Sequence, residues 1–337
     1  MTTSSTPTPT PTTNLITLLT KPTAQLSYTF YPSTSQSSSK TLLIFLNGLA
    51  APQASWTSVI HHLQSTHAHN LPAILTYDRY GQGQTPSRDP ADQDAPDPSH
   101  GHDILSALDD LHQLIQQITK LHLQLRTTTT TSTSDLKLIL VGNSLGCALA
   151  RLYAQTYPGT VSALLLLDSI LANSDWVSVI PDPTASDFVP PQGEGDDISA
   201  QDLIMVRAIA AKVFHPSVGS KEGLSRRNLA ELLPESDGPR LVGTDSGKGP
   251  WVTVIGHDGK AFAEESVRMT GGKVSGRVFE VYVTPFWERY HRELLGITDG
   301  ERRRGPLVAE GAGHVIQLGN PGIVGQELGR LLDKVIE

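Results

Sequence analysis

The chain has 337 residues, enough for one large α/β domain with an insertion or for two small domains. Its formal net charge of −8 and the lack of a sustained Lys/Arg stripe count against nucleic acid or an anionic membrane as a main partner. A single cysteine, Cys147, excludes an internal disulfide and a cysteine metal cluster, and fits a reducing compartment.

Residues 1–13 are almost all Thr, Ser and Pro, with neither a basic start nor an apolar stretch. They read as a disordered tail and not as a secretory signal. No apolar run approaches the roughly 20 residues needed to cross a bilayer, so a cytoplasmic address is expected. Two short β runs, Leu15 to Leu19 and Gln25 to Tyr31, lead to Thr41 to Leu46, a continuous apolar run of the buried-strand type. Asn47-Gly48-Leu49-Ala50 closes that strand, and a helical stretch runs from Trp56 to Leu63. Pro72 to Tyr77 is a further strand, ending in the turn Asp78-Arg-Tyr-Gly-Gln-Gly83.

Ile104, Leu108, Leu111, Ile115 and Ile118 recur at helical spacing and predict an amphipathic helix. A Thr/Ser run, Thr127 to Ser134, reads as a polar connector to the strand before Ser144. A helix from Leu145 to Tyr157 and the buried strand Ala163 to Leu167 follow. Alternation of strand and helix predicts an α/β fold with a mostly parallel sheet covered on both faces. From Ser169 to Lys248 the alternation stops, with helices expected only at Leu203 to Phe214 and Asn228 to Leu233. Residues 169–248 are therefore read as an inserted cap over a core formed by 14–168 and 249–337. Trp251 to Ile255 (strand), Phe286 to Leu295 (helix), Pro306 to Ala309 (strand) and Val324 to Val335 (helix) complete the core, with Arg302 to Arg304 in a turn.

Gly142-Asn-Ser144-Leu-Gly146 sits between a strand and a helix. A serine there can be exposed on a sharp turn, the glycines leaving room for close approach, which makes Ser144 the candidate nucleophile. A serine hydroxyl needs a base, usually a histidine whose tautomer a carboxylate fixes. His314 fits, because it follows a late strand in the small-residue turn Glu310-Gly-Ala-Gly-His314. His61, His62, His67 and His69 read as a polar face of an early helix, and His100 and His102 as loop residues without metal-ligand spacing. Two aspartates close strands, Asp168 after Leu167 and Asp258 after Gly256-His257, and either could orient the imidazole.

In these motifs and their order the chain resembles the α/β-hydrolase superfamily from Leu15 to its end: Leu46-Asn-Gly-Leu49, Asp78 to Gly83, Gly142 to Gly146, Leu167-Asp168-Ser169 and Gly311-Ala-Gly-His314. The resemblance implies a nucleophile–acid–histidine order. Many members place the acid after the strand that follows the cap, which would be Asp258. One branch places it a strand earlier, and Trp287, Leu294 and His314-Val-Ile-Gln317 look like that branch, which favours Asp168 with Asp258 as the alternative. An oxyanion hole is implied at the backbone amides of Leu49 and Leu145. Asn47 departs from the histidine common in that loop, and Asp78 to Gly83 reads as a structural turn.

The expected reaction is hydrolysis of a carboxylic ester or lactone of small to medium apolar size, through an acyl-enzyme on Ser144 and without metal or organic cofactor. Trp176, Phe188, Met205, Val213 and Phe214 could line an apolar pocket or form the cap's own core. A lyase, cyclase or carbon–carbon bond hydrolase, and a catalytically silent ligand-binding protein, are the competing readings on the same fold. The Thr/Pro tail resembles filamentous-fungal proteins in style, and the sequence assigns no oligomeric state.

Overall fold

The computed structural model describes residues 12–123, 136–189 and 198–336. Its strands are β1 (Thr12–Thr17), β2 (Gln25–Tyr31), β3 (Thr41–Leu46), β4 (Ala73–Asp78), β5 (His102–Asp103), β6 (Lys137–Asn143), β7 (Val161–Leu167), β8 (Leu224–Ser225), β9 (Trp251–His257) and β10 (Arg303–Ala309). Eight of them form one sheet in the order β1-β2-β4-β3-β6-β7-β9-β10, with β5 and β8 pairing separately. Strands from β4 to β10 run parallel, and β1 and β2 are added antiparallel at one edge.

Burial explains this topology. β3, β4 and β7 are buried at every position. Successive side chains leave opposite faces of a strand, so Leu42, Ile44 and Leu46 enter one core and Leu43 and Phe45 the other. Helices cover both faces. α1 (Thr57–Thr66), α9 (Ile316–Gly319) and α10 (Pro321–Ile336) cover one; α2 (Ile104–Ile118), α3 (Leu145–Thr156) and α8 (Thr284–Leu294) the other. α2 starts where Asp103 accepts the Leu105 and Ser106 amides, and buries its predicted apolar stripe.

All eight strands of the main sheet lie outside residues 169–248. That segment carries α4 (Ala200–Ile209), β8 and α5 (Leu229–Leu232), followed after β9 by α6 (Gly259–Met269) and α7 (Gly276–Val278). Leu203, Val206, Leu224, Leu229 and Leu233 pack into the α2–α3 core, so the segment is anchored to the body of the fold. The helix expected to Phe214 gives way at Ala210 to a wider turn, leaving Val213 and Phe214 exposed while Trp176, Phe188 and Met205 pack on the core.

Other corrections are local. Thr12 and Thr13, placed in the tail by sequence, already pair with Phe30 and Thr29 in β1. Residues 1–11 and the Thr127 to Ser134 connector lie outside the described residues. Arg303 and Arg304, expected in a turn, begin β10, an edge strand whose first positions face solvent. Among the described residues no helix is long and apolar enough to cross a membrane.

Lys21, between β1 and β2, ties that edge to α2 by reaching Asp89 (2.5 Å) and Asp110 (2.7 Å). Burial, only partly offset by Lys21, raises the Asp110 carboxyl to about 6. The folded chain thus keeps a proton that the unfolded chain has released, and this group's contribution to stability falls as pH rises from about 4 to about 6. Asp110→Asn, uncharged throughout, should be more stable than wild type at pH 8 by about 1–2 kcal/mol and should lose that margin by pH 4. Urea titrations at the two pH values check this; an equal difference at both would contradict it.

Candidate active site

Ser144 stands between β6 and α3 with φ 54° and ψ −118°, a left-handed conformation for a residue with a Cβ. Such a backbone costs about 1–3 kcal/mol and persists only where its surroundings fix it. Here the Ser144 amide donates to the Leu167 carbonyl (3.0 Å), and the Ser144 carbonyl accepts from Cys147 (3.0 Å) and Ile170 (3.2 Å). The flanking glycines are required by space. A Cβ on Gly146 would stand 2.0 Å from the Leu46 carbonyl oxygen, and one on Gly142 would stand 2.5 Å from the Cys147 nitrogen. Leu145 is the first residue of α3, so its amide has no intrahelical acceptor and lies at the positive end of the helix.

Asp168 follows β7 directly, fully buried, with φ 42° and its amide donated to the Ile255 carbonyl (2.8 Å). Its Oδ2 lies 2.6 Å from His314 Nδ1. The histidine turn is held from two sides. Asn143, the residue before the serine, donates to the His314 carbonyl (3.0 Å), and Glu265 on α6 accepts the His314 amide (3.0 Å). Trp287, anchored by its indole N–H on the Ser169 carbonyl (2.6 Å), places its ring 5.3 Å from the imidazole. Ser144 and Asp168 thus follow the adjacent parallel strands β6 and β7, and His314, on the turn after β10, reaches Asp168 at the same carboxyl edge of the sheet, where such sheets present their ligand sites.

Asp258 is not on the imidazole. It caps α6, accepting the Lys260 (2.9 Å) and Ala261 (3.2 Å) amides on Oδ1, and pins the histidine turn by accepting the Gly311 amide (3.0 Å) on Oδ2. These backbone bonds hold its carboxyl below the usual carboxylate range. The alternative acid is therefore a helix cap in this fold.

Sequence reasoning missed a second imidazole on Asp168: His257 Nδ1 is 2.8 Å from Oδ1. Burial by itself would raise the Asp168 carboxyl, but the charges and hydrogen bonds of His257 and His314 overcome it and hold the group well below the ordinary range. Asp168 stays ionised throughout the neutral range.

The Asn47–Ala50 loop beside the serine is fixed by another buried group. Arg79 donates to the Asn47 (2.8 Å) and Gly48 (2.9 Å) carbonyls, and Gln82 adds a bond to the latter (2.9 Å). Glu222, from the inserted segment, grips Arg79 through two nitrogens (3.0 and 3.2 Å) and accepts the Ala50 amide. The N–H on the opposite edge of the planar Gly48–Leu49 peptide belongs to Leu49, so these bonds orient it. A Cβ on Gly48 would stand 3.4 Å from Ser144 Cβ, which sets how near the loop lies. Asn47, the departure noted in sequence, is buried in the same network: it accepts from the Trp56 indole (2.7 Å) and donates to the Tyr77 carbonyl (2.8 Å). The Asp78 to Gly83 turn is structural, its carboxylate accepting the Gln53 (2.6 Å) and Gln84 (2.8 Å) amides.

Elsewhere, His62 and His67 pack where Gly325 and Gly329 bring α10 against α1, a packing role and not a merely solvated face. His102 is bonded to Asp92 (2.8 Å). Among the described residues no group of His, Cys, Asp and Glu is arranged to hold a metal ion.

Residues 43–325 match the family model described as the Alpha/beta hydrolase family. No curated protein matches the chain. Solved structures do, at low identity. An evolved variant of potato epoxide hydrolase aligns with TM-score 0.54 and 14% identity, covering 96% of this chain and 99% of its own. An epoxide hydrolase of Vigna radiata gives 0.52 and 12%, covering 96% and 98%. A candidate lipase of Acinetobacter baumannii AYE gives 0.51 and 16%, covering 96% and 92%. At such identities the likeness establishes the fold alone.

Proposed function

Because this chain belongs to the α/β-hydrolase family, we propose that it is a serine hydrolase cleaving a carboxylic ester or lactone of small to medium apolar size. The observation that carries this reading is the 2.6 Å contact of His314 Nδ1 with buried Asp168, beside a strained serine on the neighbouring strand end. With Nδ1–H donated to Asp168, His314 Nε2 is left to take the Ser144 proton as Oγ attacks the carbonyl. The Leu49 and Leu145 amides receive the oxyanion, each worth about 3 kcal/mol in comparable sites. Collapse of the tetrahedral species expels the alkoxide, protonated by His314, and leaves Ser144 acylated. Water, activated by the same imidazole, then frees the acid and restores the hydroxyl.

The nucleophile's chemistry argues for acyl substrates. An epoxide opened by Ser144 would leave an alkyl ether that the water step cannot cleave, whereas an acyl ester is cleaved readily. Residues 169–248 act in this reading as a cap, and partly buried Trp176, Phe188 and Met205 supply its apolar lining.

A panel of esters and lactones turned over in ¹⁸O-labelled water tests the reading by mass spectrometry. One solvent oxygen should enter each carboxylate product. Conversion without label would favour a lyase or cyclase, and no conversion of any member would favour a silent binding protein.

A further inference from the structure

We propose that His257 is a positioning residue for this reaction: its imidazole fixes the plane of Asp168 and tempers the charge that Asp168 presents to His314. The inference rests on the serine-hydrolase reading above.

Asp168 is bracketed by two imidazoles, one on each oxygen. Oδ2 faces His314, while Oδ1 accepts both the His257 backbone amide (3.2 Å) and its Nδ1–H (2.8 Å). Two donors on one oxygen fix the carboxylate plane, so Oδ2 has one direction in which to meet His314. The ionised Asp168 oxygen requires the proton on His257 Nδ1, and on the far side of the ring Nε2 lies 3.3 Å from the Thr284 hydroxyl. The ring cannot turn away. It stacks on Phe262 with centroids 4.3 Å apart and meets Trp287 edge-on at 5.1 Å, the same indole that abuts His314.

The other ionisable groups facing His257 leave this division of roles intact. His291 on α8 has Nε2 3.8 Å from Asp168 Oδ1, beyond hydrogen-bond reach, and burial holds its imidazole down at about 4, so it stays neutral at working pH. Asp258, the next residue in the chain, is engaged with the α6 amides and Gly311. Among the described residues Asp168 and His314 are the remaining two.

Hydrogen bonds to a carboxylate spread its charge and lower its basicity. Removing the Nδ1–H donor should leave Asp168 less well oriented and, at the same time, a stronger partner for protonated His314. His314 would then hold its proton to higher pH, and the acidic limb of activity would move up with it. A residue that only filled space would lower the melting temperature and leave the limb in place.

The test compares full-length His257→Asn with His257→Gln. The asparagine amide nitrogen falls where Nδ1 stands; the glutamine nitrogen falls near Nε2. The His314 Cε1–H resonance is titrated by NMR in the resting protein, and the rate of Ser144 labelling by a fluorophosphonate is followed against pH. In the Gln variant the His314 midpoint and the acidic limb should both rise by about half a pH unit or more, with labelling about tenfold slower at the plateau. The Asn variant should stay close to wild type in all three. An unmoved midpoint in a folded Gln variant, or an equal shift in both variants, overturns the proposal. If Ser144 is never labelled even in wild type, the serine-hydrolase reading fails, while the NMR titration still decides whether His257 acts on His314 through Asp168.

Discussion

Asp168→Asn is expected to lower kcat/KM on a p-nitrophenyl ester by about 10⁴-fold, whereas Asp258→Asn should cost no more than about tenfold. The difference follows from what each carboxylate holds. Asp168 accepts the Nδ1 proton of His314 at 2.6 Å. An asparagine there can turn its NH₂ toward Nδ1, which moves the imidazole proton to Nε2 and removes the base from the serine. Asp258 accepts only backbone amides, and an asparagine oxygen can still accept those of Lys260 and Ala261. Steady-state kinetics of the two variants check the assignment. A greater loss in the Asp258 variant would reverse it.

Arg79→Met is expected to have the largest effect on stability and a distinct effect on rate. Arg79 and Glu222 are buried, with side chains 5% and 1% exposed, so removing the guanidinium strands a carboxylate in the interior. That situation typically costs about 3–5 kcal/mol. It also removes one of the two donors on the Gly48 carbonyl, leaving Gln82 alone to hold it, and so loosens the orientation of the Leu49 amide. Because the oxyanion exists only beyond the ground state, kcat should fall by about 10–100-fold with KM little changed. Arg79→Met combined with Glu222→Leu should recover most of the stability without recovering kcat. Denaturant titration and kinetics on the pair of variants separate the two effects. A double variant with wild-type kcat would mean that the ion pair holds the inserted segment but does not position the loop.

Sequence was most informative where a single element carries its own pattern. The run Thr41–Leu46 has the continuous apolar character of a strand buried on both faces, and Ile104–Ile118 shows one apolar stripe, so both were legible with their ends. α6 was not, because Gly259–Met269 buries only Ala263 and Ser266 and has little apolar pattern to see. Its start was visible under another role: Asp258, weighed as an acid, is the cap that begins the helix. β10 starts earlier than its apolar residues because an edge strand can open on charged residues facing solvent.

The site divides in the same way. Ser144 and His314 sit in short motifs whose local chemistry is readable, glycine for tight approach and small residues for a turn. Asp168 and Asp258 each follow a strand and both reach the His314 turn, Asp168 at the imidazole and Asp258 at the Gly311 amide, a difference visible only once the sheet is assembled. His257, adjacent to Asp258 in sequence, reaches Asp168 across 89 positions. The Arg79–Glu222 pair spans 143 and joins the inserted segment to the loop beside the serine. No period or motif marks such contacts, since they arise only when the sheet has been assembled.

Covalent labelling tests most directly whether Ser144 is a nucleophile activated by His314. Wild-type protein treated with a fluorophosphonate should gain one phosphonyl adduct, mapped by peptide mass spectrometry to Ser144, and His314→Ala should prevent that labelling. Robust labelling of Ser144→Ala, or an adduct on another residue of the wild type with Ser144 unmodified, would contradict it.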